Sequence, residues 1–108
     1  MKGPSKRRFD EIYNQGRRFR GDFLTLIVTP GQGLVGIATS KKLGAKPQRN
    51  RQKRRIRAMI STQMQPTTQD WVLVVGMKCL RTEYATLRIE LTHLIGEANS
   101  WVGGSASS

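Results

Sequence analysis

The sequence is poor in the residues from which catalytic and metal sites are most often built. Its 108 residues include one histidine, one cysteine and seven carboxylates scattered along the chain. We find no metal-ligand cluster of recognised spacing, no Ser/His/Asp or Cys/His grouping, no Walker loop and no zinc knuckle. We therefore expect neither a catalytic nor a metal-binding residue in this chain, and this composition favours a binding module.

The lone cysteine and the lone histidine each have a simple structural interpretation. Cys79 has no second cysteine with which to form an internal disulfide, which fits a reducing compartment. His93 falls in a predicted C-terminal helix that serves as scaffold, where we expect a surface or core-edge imidazole.

Long hydrophobic runs are also missing. No stretch approaches the roughly 18 apolar residues that a membrane span needs. The basic start of the chain is followed by Phe-Asp-Glu instead of the apolar core of a signal peptide. We therefore expect one soluble, cytoplasmic domain over residues 1–99, followed by a flexible tail over residues 100–108 that ends in Gly-Gly-Ser-Ala-Ser-Ser.

Acidic residues are scarce, and their distribution is uneven. The formal net charge is +12, the pI is about 11.2, and no carboxylate occurs between Asp22 and Asp70. Sixteen of the nineteen basic residues lie at or before Arg57. Such a balance points to nucleic acid or an anionic membrane surface, with the N-terminal half as the binding half.

The highest charge density lies in residues 45–59, AKPQRNRQKRRIRAM, where seven of the twelve residues 46–57 are Lys or Arg. Helical periodicity places five residues on one narrow stripe, namely Gln52, Ile56, Met59, Ile60 and Gln63. We expect the apolar members to dock this helix, with Pro47 in its first turn and its end near residues 61–65. A solvated basic face is the alternative, but such faces normally mix Glu with Lys. The pattern therefore favours binding of a polyanion, which would relieve the repulsion between neighbouring arginines.

A short helix precedes this segment. Ser5 is a predicted N-cap for a helix from Lys6 to Gln15 that ends at Gly16. Phe9, Ile12 and Tyr13 share one face of it, and we expect Ile12 to pack on a sheet. Phe9 and Tyr13 lie among cationic residues, so either they pack too or they form a stacking platform for a single strand.

The remaining pattern predicts strands and a last helix. Residues 17–20 read as a short extended segment, and residues 23–29 as a strand covered on both faces. We expect residues 34–40 to return antiparallel and complete a hairpin, and residues 71–75, WVLVV, to form a central strand parallel to 34–40 across a helical crossover. A final helix, with Thr82 as N-cap, should cover the sheet through its apolar stripe: Tyr84, Leu87, Leu91, Leu94 and Ile95.

One face of residues 34–40 carries only small side chains, namely Gly36, Ala38 and Ser40. Either they let the first helix approach closely, or they form the floor of a groove for a nucleotide chain. The residues alone leave both interpretations open.

Residue order adds a family resemblance. Ser-Lys-Lys-Leu-Gly at 40–44, followed by Arg-Asn-Arg-x-Lys-Arg at 49–54, resembles the signature of the bacterial ribonuclease P protein, in which the first segment closes a strand and the second opens a long helix. Phe9, Tyr13 and Gly16 match the F-x-x-x-(F/Y)-x-x-G pattern of its first helix. The match runs in order from about Lys6 to Leu94.

The resemblance implies a fold and a function. The fold is α+β, an α-β-β-β-α-β-α two-layer sandwich whose mixed, mainly antiparallel sheet has a left-handed β-α-β crossover. In this family the protein binds the catalytic RNA subunit and the single-stranded 5′ leader of precursor tRNA. The RNA uses Mg²⁺ to remove the leader, while the protein binds no cofactor, no membrane and no required protein partner.

The resemblance also assigns residues, and the leader cleft that it implies between the first helix and the sheet favours the groove interpretation. The expected RNA-binding residues are Arg49, Asn50, Arg51, Lys53, Arg54 and Arg57. The expected leader-binding residues are Phe9, Tyr13, Arg17, Arg18, Ser40, Lys41 and Lys42.

One departure and two alternatives accompany this assignment. Many members keep an arginine after the 71–75 strand, where this chain has Gly-Met-Lys, so a phosphate contact there would come from Lys78 or Arg81 or be absent. A small ribosomal or other structural RNA-binding protein is the first alternative. A self-sufficient nuclease is the second, which the lack of an acidic or imidazole site disfavours.

Overall fold

The structure, a computed structural model, describes residues 3–39, 44–62 and 66–106. Its elements are, in chain order, helix α1 (Lys6–Gln15), strands β1 (Arg17–Arg20), β2 (Leu24–Pro30) and β3 (Val35–Thr39), helix α2 (Lys46–Ser61), strand β4 (Gln69–Val75), a short 3-10 helix (Met77–Arg81) and helix α3 (Tyr84–Ala106). The predicted α+β class and the α-β-β-β-α-β-α order are confirmed. Within the described residues, no helix is both long and apolar enough to cross a membrane.

The four strands form one mixed sheet in the order β1-β2-β4-β3. β1 and β4 pair antiparallel with β2, and β3 pairs parallel with β4. The predicted central strand and its parallel neighbour are therefore confirmed, and α2 makes the crossover between them. The left hand of this crossover stays an expectation from the resemblance.

The predicted hairpin between β2 and β3 is wrong, because β4 lies between them. The two strands do run in opposite directions, but the chain that joins them bonds to β4 instead of closing a hairpin. The backbone N–H of Gly33 donates to the carbonyl of Gln69 (2.9 Å), and that of Trp71 donates to the carbonyl of Leu34 (2.8 Å). A strand that is apolar on both faces is buried best in the centre, so β4 displaces β3 to the edge.

The main core lies between one face of the sheet and helices α2 and α3. Alternate residues of β2 and β4 point into it, and the helices contribute their apolar stripes; the buried residues include Leu24, Leu26, Val28, Trp71, Leu73, Val75, Ile56, Met59, Ile60, Leu87, Leu91, Leu94 and Ile95. The expected apolar stripe of α3 is buried except at Tyr84, which is 42% exposed. This core is the helix-on-sheet sandwich that we expected.

A smaller apolar cluster covers part of the opposite face, where α1 packs. Ile12, Ile27 and Val72 are fully buried there, with Phe9 and Ala38 half-buried beside them. The prediction that both faces of β2 are covered is thus confirmed. Helix α1 contributes only a few buried side chains, so it is the lightly anchored element of the fold.

The last helix extends beyond the expected domain boundary. Instead of ending before residue 100, α3 continues to Ala106. The apolar stripe continues as well, because Trp101 follows Leu94 and Ala98 at helical spacing and meets the Phe19 ring edge-on, with centroids 6.2 Å apart. This contact gives the helix a reason to continue; the flexibility of residues 100–108 stays a prediction.

The start of α3 also differs from expectation. Thr82 does not cap it; its hydroxyl donates backward to the carbonyl of Lys78 (2.6 Å). About two turns further along, the carboxylate of Glu90 accepts backbone N–H groups at the β1–β2 turn, from Asp22, Phe23 and Leu24. This carboxylate joins α3 to the edge of the sheet.

Candidate nucleic-acid interface

Helix α2 presents a basic face directly opposite its buried stripe. Gln52, Ile56, Met59 and Ile60 are buried, as the periodicity predicts, while Gln63 lies outside the described residues. Four of the six expected RNA-binding residues are exposed on the far side, namely Asn50, Arg51, Arg54 and Arg57, and the other two, Arg49 and Lys53, are half-buried beside the stripe. The helix therefore docks through one side and leaves most of its charge facing outward.

No acidic side chain of the described residues forms an ion pair with these cations. In the part of the chain that the structure describes, the ion pairs are Arg8 with Asp70 and His93 with Glu97, and neither involves α2. Even the buried Nε atom of Arg49 has no hydrogen-bond partner within that part. The positive charge of the face is therefore uncompensated, which is what a polyanion-binding surface requires.

One arginine of α2 has a different role. Arg55 is half-buried and its guanidinium donates to the carbonyl of Thr82, which ties α2 to the segment before α3. Its charge is therefore used in a contact within the fold, in contrast to that of its neighbours Arg54 and Arg57.

Helix α1 carries the two aromatic rings. The Ser5 hydroxyl accepts from the backbone N–H of Arg8 (3.2 Å), and the helix ends where the N–H of Gly16 donates to the carbonyl of Ile12 (2.8 Å). Gly16 allows a close approach to the sheet, since a Cβ atom there would lie 2.4 Å from Cγ2 of Ile27. The predicted limits and buried face of α1 are confirmed.

Phe9 and Tyr13 lie one turn apart on the partly exposed side of α1. Their rings are nearly parallel, at 12°, with centroids 6.3 Å apart, and Tyr13 is 39% exposed. The guanidinium of Arg18 lies 4.8 Å from the centre of the Tyr13 ring and donates to the Tyr13 carbonyl (2.8 Å). The structure thus brings these three expected leader-binding residues into one aromatic and cationic cluster.

Arg17 is not part of this cluster. Successive residues of a strand point to opposite faces, so Arg17 lies on the other side of β1 from Arg18. Its guanidinium is 5.9 Å from the centre of the Phe19 ring, beside the main core. Ser40, Lys41 and Lys42 lie outside the described residues, and their expected roles stay predictions.

The close-approach interpretation of the small side chains of β3 is confirmed at Gly36, and the groove interpretation stays a prediction. At Gly36 the helix does approach closely, since a Cβ atom would lie 3.1 Å from both Phe9 and Pro4. Further along, Ala38 is level with Val74 and Thr25 in the sheet, and all three are only half-buried. We call the surface formed by this row and the rings of Phe9 and Tyr13 the α1 cleft.

Asp70 is the residue that the sequence reasoning missed. It is 1% exposed and lies at the start of β4, where one of its oxygens pairs with Arg8. Burial alone would raise the pKa of Asp70, but the backbone N–H groups of Leu34 and Gln32, together with Arg8, outweigh burial and hold the pKa below its ordinary value. The sequence did offer one signal for Asp70, because it is the only carboxylate between Asp22 and Glu83.

Cys79 and His93 belong to residue types that often serve in catalysis, but both make simple structural contacts here. Burial raises the pKa of Cys79 to about 11, and its thiol donates to the carbonyl of Phe23 (3.2 Å). His93 is an exposed residue paired with Glu97 (2.8 Å), as expected for a surface imidazole. Among the described residues, no three His, Cys, Asp or Glu side chains lie close enough together to hold a metal ion.

Comparison with known proteins points to one family. The family model described as Ribonuclease P matches residues 4–99. The ribonuclease P protein component of Picosynechococcus sp. is 35% identical over 103 residues, covering 90% of this chain and 89% of that protein. That of Microcystis aeruginosa is 33% identical, covering 84% of each.

Solved structures show the same fold. The RNase P protein of Staphylococcus aureus, as a mutant with defective mRNA degradation activity, superposes with a TM-score of 0.78 at 21% identity, over 89% of this chain and 86% of that one. The RNase P protein of Thermotoga maritima gives a TM-score of 0.76 at 22% identity, over 87% and 94%. This chain belongs to the ribonuclease P protein family, as a protein component of that ribonucleoprotein endoribonuclease.

Proposed function

We propose that this protein binds the catalytic RNA of ribonuclease P through the outer face of α2 and holds the 5′ leader of precursor tRNA in the α1 cleft. It thereby assists the endonucleolytic removal of the leader during tRNA 5′ maturation in the cytoplasm. Its partners are the RNA subunit and the precursor tRNA, and it requires neither a membrane nor a second protein.

The observation that carries this proposal is the uncompensated face of α2. A helix that is anchored by Ile56, Met59 and Ile60 keeps Arg51, Arg54 and the other outward cations in fixed relative positions. Cations held in this way can neutralise several phosphates without first losing conformational freedom of the backbone. The binding of folded RNA is therefore the function that this face supports best.

The α1 cleft supports binding of an unpaired strand. Phe9 and Tyr13 offer aromatic surface and Arg18 offers positive charge, while Ala38 and Val74 leave a partly open floor. Stacking of a base on an aromatic side chain contributes about 1–3 kcal/mol and tolerates any sequence. A leader whose sequence varies among precursor tRNAs suits such a site.

The hydrolytic chemistry is assigned to the RNA subunit in this proposal. Mg²⁺ bound there activates the attacking water and stabilises the leaving oxygen. This protein contributes substrate binding and offsets repulsion between phosphates, with no cofactor of its own.

Reconstitution with a bacterial ribonuclease P RNA tests the proposal. Replacing exposed Arg51 with alanine should weaken binding of that RNA and slow the processing of precursor tRNA, while the free energy of unfolding stays unchanged. Arg88→Ala is the matched control, because it removes an exposed arginine from the second turn of α3, a helix that belongs to neither proposed surface. Equal losses for the two variants would contradict a specific role for α2.

Salt dependence gives a second test. If about six phosphates are neutralised, log affinity should fall against log salt with a slope of roughly −4 to −5. A slope near −1 would contradict the electrostatic account. A ribosomal or other structural RNA-binding protein would leave tRNA processing unaffected, and cleavage of RNA by the pure protein would indicate a self-sufficient nuclease.

A further inference from the structure

A single buried carboxylate connects the two walls of the α1 cleft. One wall is α1, with its rings, and the other is the sheet, with β3 at its edge. Arg8, the neighbour of Phe9 in α1, donates from Nε to Oδ2 of Asp70 (2.8 Å). Its Nη2 atom also donates to the hydroxyl of Thr29 (3.0 Å) and to the carbonyl of Pro30 (2.8 Å).

The other oxygen of the same carboxylate is bound to the chain entering β3. Oδ1 of Asp70 accepts the backbone N–H groups of Gln32 (2.9 Å), Gly33 (3.1 Å) and Leu34 (2.9 Å). The preceding residue, Gly31, has to be a glycine, because a Cβ atom there would lie 2.2 Å from the carboxyl carbon. One side chain therefore fixes α1 and the start of β3 to the same point on β4.

Helix α1 depends on such anchors. It has ten residues, too few for an isolated helix to be stable in water, and Ile12 is its one fully buried residue. Arg8 holds its first half, the half that carries Phe9, while Arg18 holds its end through the Tyr13 carbonyl. Without Arg8, the position of Phe9 relative to the sheet would rest on the contact of Ile12 and on the packing of Phe9 itself beside Gly36.

We propose that Arg8 and Asp70 are positioning residues for leader binding, which set the separation of Phe9 from the floor of the α1 cleft. This inference rests on the proposed leader-binding function. Nε and Nη2 of the Arg8 guanidinium are bound to partners within the fold, so this proposal assigns Arg8 no phosphate contact. Its contribution is to keep the cleft preformed, which spares the leader the free energy of ordering it.

The test uses holoenzyme reconstituted with a bacterial ribonuclease P RNA and two precursor tRNAs. One has a leader of about eight nucleotides, within the range that a single-strand site spans, and the other has one leader nucleotide. Arg8→Ala should weaken binding of the long-leader substrate about tenfold, equivalent to one lost base contact. Binding of the short-leader substrate and of the RNA subunit should change less than about twofold, the effect of a fraction of one contact.

Two further variants separate geometry from charge and from misfolding. Arg7→Ala removes the same charge from the adjacent exposed position and should have little effect on either substrate. Arg8→Lys keeps the ion pair but cannot also reach both Thr29 and Pro30, so its loss should be intermediate. Because Arg8 is assigned no phosphate contact, Arg8→Ala should leave the salt slope of leader binding unchanged, whereas loss of a direct contact lowers it by about 0.7.

The outcomes distinguish this inference from the function on which it rests. Wild-type holoenzyme should prefer the long leader, and Phe9→Ala should abolish that preference; if wild type shows no preference, the leader-binding proposal fails and this one with it. If wild type and Phe9→Ala behave as expected but Arg8→Ala matches Arg7→Ala, only the positioning role is overturned. A salt slope reduced by Arg8→Ala would overturn it too, because Arg8 would then contact the leader directly.

Discussion

Removing the carboxylate of Asp70 should destabilise the fold more than any other loss of a single charge. Asp70→Ala leaves the Arg8 guanidinium without its ion-pair partner and the backbone N–H groups of Gln32 and Leu34 without an acceptor, while the N–H of Gly33 keeps the carbonyl of Gln69. Because the Asp70 side chain is only 2% exposed, water cannot replace it without opening the turn.

The magnitude follows from burial. Breaking a buried ion pair by removing one partner typically costs about 3–5 kcal/mol. The Arg8 side chain is 28% exposed and can regain some hydration, so we expect the lower end, about 3 kcal/mol. Asp70→Asn keeps one oxygen for the N–H groups but faces Arg8 with an amide, and should destabilise by about 1–2 kcal/mol.

Urea denaturation followed by tryptophan fluorescence measures these values, since Trp71 is buried next to Asp70 in β4. The control is Asp10→Ala, which removes an exposed carboxylate from α1 and should change the free energy of unfolding by less than about 0.5 kcal/mol. If Asp70→Ala were as mild as this control, the carboxylate would not be the anchor of the two walls.

Three further predictions probe the same structure. Because folding lowers the pKa of Asp70 from 3.8, the unfolded state binds more protons in acid. The excess in free energy of unfolding of wild type over Asp70→Asn should be complete at neutral pH and shrink as pH falls below about 4. An excess that grows in acid would contradict the lowered pKa. Ile56→Ala should lower stability by about 2–5 kcal/mol in the same urea assay, because Ile56 is 0% exposed; a stable variant would refute the docking of α2. Gly16→Ala should destabilise by about 1–3 kcal/mol through overpacking against Ile27, whereas Gly96→Ala, with no neighbour within 4 Å of its Cβ position, should stabilise α3 by about 0.5–1 kcal/mol. Equal effects of the two glycine substitutions on thermal unfolding would rule out the close approach at Gly16.

Predictions that rested on local sequence signals agreed closely with the structure. Ser5 and Gly16 delimit α1, and the stripe of Ile56, Met59 and Ile60 orients α2, because capping and helical periodicity act within a few residues. WVLVV was recognisable as a central strand for a similar reason, since its apolar character on both faces allows no other position. The family motif supplied the interpretation of the basic face.

Long-range pairing was not predictable in this way. The residues around 30–33 look like an ordinary hairpin turn, and nothing local reveals that Asp70, almost forty residues later, binds their N–H groups. That contact holds the 32–34 turn against β4, which lies between β2 and β3. In the same way, Trp101 meets Phe19 across more than eighty residues and carries α3 past its expected end.

The amino-acid order thus specifies the helices, the central strand, the location of the charge and the family, because each of these depends on neighbouring residues. The fold specifies which cations remain free. Arg8 and Arg55 look like any other basic residue in the sequence, yet both are bound within the fold, while Arg17 and Arg18 are sent to opposite faces of one strand. Whether a guanidinium is free for RNA depends on partners that lie far away along the chain, and those meet it only when the sheet has formed.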